Sequence, residues 1–159
     1  AMSGAAPRFT ATELLLVALG VLGLVGTWAQ GFHYLSHGLV AGNVLFWQET
    51  VATPASTFLV VDILVLAAGV FVLMFAEGRR LGIAAGWLWV YFLLSLFVAV
   101  SFAVPVFLAH RQRRIRLQRP AEAADPAGSD WIAIGIAVVI VAVSVGYSLG
   151  HVPWPAPFR

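Results

Sequence analysis

The chain has 159 residues, of which 61% are hydrophobic and only 10% charged. A soluble domain of this size carries roughly a quarter charged residues to coat its surface, so this composition excludes an ordinary globular protein and makes lipid the solvent for most of the chain. The absence of cysteine removes disulfides, iron–sulfur clusters and thiolate chemistry, and the net charge of +2 comes from nine arginines, with no lysine, set against seven acids.

A helical crossing of a bilayer core needs about 20 mostly apolar residues. Four stretches qualify, at about 12–34, 55–76, 81–109 and 131–150, and they predict an all-α, polytopic integral membrane protein with four transmembrane helices. In the first, Arg8 precedes the apolar run and Thr27-Trp28-Ala29 has the look of a weak leader-cleavage site. It is read as a retained helix, capped by Thr12 with Glu13 in its first turn. Between residues 31 and 56, the apolar residues Leu39, Val40, Val44, Leu45, Phe46 and Trp47 predict a short interfacial or re-entrant helix packed over the bundle. The second helix starts clearly, with Thr53 as cap and Pro54 in the first helical position. Its end at Glu77-Gly78-Arg79-Arg80 is a short polar turn, which predicts an antiparallel pair with the third. That third helix is long for one crossing and has no charged residue from Leu81 to Ala109, and Pro105 is expected to kink or end it.

Residues 110–130 read as a polar loop, basic in its first half and acidic in its second, with Pro120 and Pro126 marking irregular structure. A fourth helix without an ionisable group between Trp131 and Leu149 follows, then a proline-rich tail carrying Trp154. The chain thus divides into a membrane core (1–109), an arginine-rich loop (110–130), and an added helix with its tail (131–159). Four crossings set Arg8, Arg79, Arg80 and Arg159 on one side against five arginines on the other, which leaves the orientation open.

Asp62 is the sharpest single signal. A carboxylate about two turns into a spanning helix costs roughly 2.5–3.5 kcal/mol to insert, so something must compensate it. It reads either as an acid, base or ligand contact, or as a structural residue paired to a neighbouring helix. Helix parity places Gln30, His33, His37, Asn43, Gln48, Glu49, Thr53, Ser56, Asp62 and His110 at one membrane face, with His151 at the other. His33 and His37 stand four residues apart, a spacing that presents both on one side of a continuing helix. With Glu49 or His110 they could complete a metal site, although two interfacial histidines are the stronger reading and no metal is required. Five of the six tryptophans fall near helix ends, as an interfacial belt would. Trp28 is the exception, and with His33 and His37 it is the candidate contact for a pigment, quinone or lipid. Arg111, Arg113, Arg114, Arg116 and Arg119, together with Trp154, are expected to grip anionic headgroups or partner subunits. Nucleic acid is not an expected partner, because no recognition fold surrounds the arginines. No phosphate-binding loop, HExxH or GxSxG is present.

Pro54-Ala-Ser-Thr57, the apolar stretch carrying Asp62, Phe71 to Ala76 followed by Glu77-Gly-Arg-Arg-Leu-Gly82, and Val100-Ser-Phe-Ala-Val-Pro-Val-Phe107 resemble an uncharacterised family of short, three-helix bacterial membrane proteins, a domain of unknown function. The resemblance covers about residues 12–109. It implies an architecture more than an activity, with the N-terminus and the Arg79–Arg80 turn cytoplasmic and the 31–56 segment outside, in the bacterial inner membrane. The expected function is a non-catalytic accessory or structural subunit of a larger photosynthetic or respiratory complex, docking through the fourth helix, the tail and the arginines. The alternative is a membrane protein that binds or converts an isoprenoid, quinone or lipid, with Asp62 as acid or base beside Glu49.

Overall fold

The computed structural model describes residues 9–122 and 126–152. Among these, six α-helices follow one another: α1 Ala11–Leu35, α2 Leu39–Thr50, α3 Pro54–Arg80, α4 Ala85–Leu94, α5 Val100–Gln118 and α6 Asp130–Gly150. A π-helical turn, Ser95–Ala99, lies between α4 and α5. Four helical segments, Ala11–Leu35, Pro54–Arg80, Ala85–Gln118 and Asp130–Gly150, are long and apolar enough to cross a membrane. The protein is therefore all-helical with four membrane-length segments, as its sequence predicts.

The local signals explain where these helices begin and end. α1 is capped by Thr10 rather than Thr12, because Thr10 has a glutamate three residues on. The Thr10 hydroxyl accepts from the Glu13 N–H at 3.2 Å, and the Glu13 carboxylate accepts from the Thr10 N–H at 3.1 Å, a reciprocal capping box. α3 starts as expected at Thr53 and Pro54, with Ser56 completing the cap. It runs on through Glu77 to Arg80 and stops at Gly82, whose φ of 65° admits glycine readily. There the Ile83 N–H reaches back to Gly78 O and the Gly82 N–H to Arg79 O, and buried Ile83 supplies the apolar contact of a Schellman ending.

The third segment departs from a straight crossing. Tyr91 Oη lies 3.0 Å from His110 Nδ1, and the Tyr91 and Phe107 rings are 5.6 Å apart. In one straight helix, residues 91 and 110 would be separated by about 28 Å. The chain instead reverses at Ala99, which is extended at φ −170° and ψ 129°, so α4 and α5 form a hairpin. α4 descends beside α3, with Phe92 on Phe71 and Trp89 on Phe75. α5 returns to the end it started from, where Arg111 meets Glu77. Pro105 neither ends nor begins a helix; it sits inside α5.

α1 is the spine of the bundle. It runs antiparallel to α5, with Glu13 beside Arg116, Gly20 against Phe102 and Val106, and Gly23 against the Ser101 carbonyl. Trp28 reaches the hairpin tip, where its indole N–H donates to Val98 O at 2.9 Å. α6 lies along another side of α1, with Val145 at Gly26 and the Ser148 hydroxyl donating to Gly26 O. The short α2 folds onto the end of α1, where Gly42 meets the Tyr34 carbonyl and Phe46 packs on the Tyr34 ring. The apolar core, comprising Met74, Leu81, Ile83, Leu88, Tyr91, Phe107 and Ile115, lies wholly between α3, α4 and α5 in the half nearest the arginines.

The cysteine-free chain gives a direct check of this path. Single cysteines at Arg79 and Glu122 should react with a membrane-impermeant maleimide from one side of sealed vesicles, and cysteines at Ser36 and Ala52 from the other. A straight third crossing would instead pair Glu122 with Ser36. A Gly23→Leu substitution, whose first added carbon would stand 2.6 Å from the Ser101 carbonyl oxygen, should lower stability by about 1–3 kcal/mol in detergent unfolding.

Candidate functional site

The hairpin sorts the polar residues into two ends of the molecule. At the first end, α5 continues to Gln118, well into the stretch read from sequence as a loop. Arginine is a good helix former, Ile115 on the same stretch is buried, and the acids on α1 and α3 supply partners. Glu13 is fully buried. Its Oε1 accepts from Arg116 Nε at 3.1 Å and from Nη2 at 2.9 Å, and its Oε2 from Nη2 at 3.0 Å. Glu77 accepts from Arg111 Nη2 and from Arg80 Nη2, each at 2.9 Å.

The remaining predicted contact residues also have neighbours. Arg113 stacks over the Phe9 ring at 4.4 Å, Arg114 Nε approaches His110 Nε2 at 3.4 Å, and Arg119 pairs with Glu122 at 3.4 Å. Arg111 and Arg116 are therefore committed to interior ion pairs, and Trp154 lies outside the described residues. Every described arginine sits at this end, which replaces the even split that a straight third helix implies.

The second end holds Asp62, about 12 Å along α3 from Pro54. A groove of about 800 Å³ runs past it, lined by Val51, Ala52, Thr53, Pro54, Thr57, Phe58, Val61 and Val65. Asp62 is exposed there. The flanking residues Phe58, Leu59, Val61, Ile63, Leu64, Val65 and Leu66 are exposed, with only Val60 among them half-buried, because the α4–α5 hairpin turns back before it reaches this part of α3. Thr57 spends its hydroxyl on the carbonyls of Thr53 and Val51.

The other candidates at this end do not join the groove. Glu49 accepts a 2.7 Å hydrogen bond from Tyr34 Oη. His33 and His37 do meet, edge to face with ring centroids 5.2 Å apart, but His37 Nδ1 is held by the His33 carbonyl at 3.1 Å. His110 stands at the opposite end beside Tyr91, and His151 takes its place, with its carbonyl 3.4 Å from Gln30 Nε2. Among the described residues no group of three His, Asp or Glu side chains converges as a metal would need. Trp28 has its N–H on Val98 O, a structural duty that its mid-helix position did not suggest. From sequence alone, Glu13 reads only as part of a helix start. Its pairing with Arg116 was hidden by sequence distance, although the Thr-x-x-Glu spacing marked it as a cap.

A buried pair of this kind destabilises strongly when one partner is removed, by about 3–5 kcal/mol, because the other charge is stranded. Arg116→Ala should therefore cost about that much in detergent unfolding, whereas Arg119→Ala, at an exposed pair, should cost less than about 1 kcal/mol.

Comparison with known proteins adds one assignment. The family model described as a protein of unknown function, DUF2834, matches residues 15–113, from the first turns of α1 into the arginine-bearing part of α5. No curated protein and no solved structure matches the chain. The matched region contains five helices, α1 to α5, where the resemblance implied three, since the interfacial helix and the folded third segment each add one. With well over half its length matched, the chain belongs to the DUF2834 family of proteins of unknown function.

Proposed function

We propose that the chain is a non-catalytic accessory subunit that docks within the bilayer against a larger bacterial membrane complex, photosynthetic or respiratory. The carrying observation is the third of α3 from Phe58 to Leu66, which is exposed at every position but Val60 and bears a carboxylate at membrane depth. α6 adds to it: none of its residues is buried, and Ile132, Ile136, Val139, Ile140 and Val143 lie exposed. Lipid alone satisfies an apolar helix face, but an intramembrane acid asks for a partner.

The collection of the described arginines at one end supports an orientation in the cytoplasmic membrane with that end in the cytoplasm, by the excess of Arg and Lys in cytoplasmic segments. The second reading, a site for an isoprenoid, quinone or lipid with Asp62 as acid or base, draws on the groove alone. His33, His37 and Glu49 do not line it, which leaves Asp62 without the accompanying groups that acid–base work needs.

Mild extraction from native membranes tests the docking reading. The full chain should migrate with a complex several times its own mass, and a variant ending at Ser129, which lacks α6, should be lost from that complex. Recovery of the full chain only as a free monomer would overturn it.

A further inference from the structure

We infer that Asp62 is the docking point for a cationic side chain, an arginine or lysine carried at matching depth by a transmembrane helix of a partner protein. The inference rests on the docking reading above and says what the partner must carry.

Three observations lead to it. Asp62 has no hydrogen-bond partner among the described residues, although it lies at membrane depth in a groove otherwise walled by apolar side chains and by threonine hydroxyls near its outer end. The groove is open along the helix axis, and the exposed stretch from Phe58 to Leu66 continues it, which suits an elongated apolar body better than a compact one. Among the described residues, a second copy of this chain in the same orientation brings no arginine there, since every described arginine lies at the opposite end of the bundle. An uncompensated carboxylate at this depth is unfavourable, and a charge-assisted hydrogen bond from an ammonium or guanidinium group meets both its charge and its acceptor capacity.

The test uses the full-length chain in phosphatidylcholine vesicles, fluorescently labelled at a cysteine introduced at Ser36. It is mixed with synthetic Leu–Ala transmembrane peptides that carry one arginine about 12 Å from one end, or leucine at that place, and an acceptor dye. Energy transfer should show the arginine peptide associating about five- to thirty-fold more tightly than the leucine peptide, a range typical of interhelical polar contacts in membranes. Asp62→Asn should erase that preference, and Asp62→Glu should keep most of it. Equal association of the two peptides, or an unchanged preference in Asp62→Asn, would overturn the inference. So would energy transfer between two copies of the chain that depends on Asp62. The two readings fail separately. A native complex that forms undiminished with Asp62→Asn retains the docking role and removes the cation, whereas a chain that purifies alone removes the docking role itself.

Discussion

Everything in this bundle depends on one backbone problem, which is how a chain can reverse direction inside hydrocarbon. A reversal frees carbonyls that no water is present to satisfy. At Ala99 the helical ladder is broken, and the Val98 carbonyl that it releases receives the indole N–H of Trp28 from α1. The Ser95 hydroxyl turns back to Tyr91 O at 2.8 Å, keeping its own polarity inside the turn. Pro105 leaves the Ser101 carbonyl without its usual donor four residues on, and there Gly23 brings the α1 backbone into close contact. The reversal is thus a joint property of α4, α5 and α1.

Once the hairpin turns, the electrostatics follow. Both of its ends lie beside Glu77 and the start of α1, so arginines that would otherwise be split between two membrane faces gather at one. Two of them meet carboxylates already placed by helix-capping and helix-ending logic. Glu13 serves as cap to its own helix and as partner to Arg116 of α5, 103 residues away. Glu77 closes α3 while receiving Arg80 from its own last turn and Arg111 from the hairpin. The ion pairs hold the hairpin's open end as Trp28 holds its tip. Arg111 and Arg116 are fastened inward by these contacts, whereas Arg80 and Arg119 remain largely exposed at the rim.

Much of this was legible in the chain. Apolar run length marks the membrane segments, Thr53-Pro54 marks the start of α3, and Glu77–Gly82 marks its end. The reversal at Ala99 was not legible, for a physical reason. An uninterrupted apolar run is equally suited to one long crossing and to two shorter helices doubled on themselves, and Ser95–Ala99 has no glycine or proline to announce a turn. Reading that run as one crossing displaces every residue placed by counting crossings, which is why His110 and His151 exchange ends and the arginine balance changes. Asp62 was recognisable from composition alone, because a charge in an apolar helix is an anomaly at any topology. Its surroundings were not, since they are created by where the hairpin stops.

The hairpin also makes the molecule unequal at its two ends. Five helices, α1, α3, α4, α5 and α6, share the arginine end, but beyond the hairpin tip at Trp28 only α1, α3 and α6 continue, with the short α2 folded onto α1. A body broad at one end and narrow at the other is a wedge, and lipid chains around its narrow end must splay to fill the space. A neighbouring helix inserted there relieves that packing stress for geometric reasons alone, before any charge is considered. The shape of the fold therefore favours company on the same side of α3 where its one intramembrane acid stands.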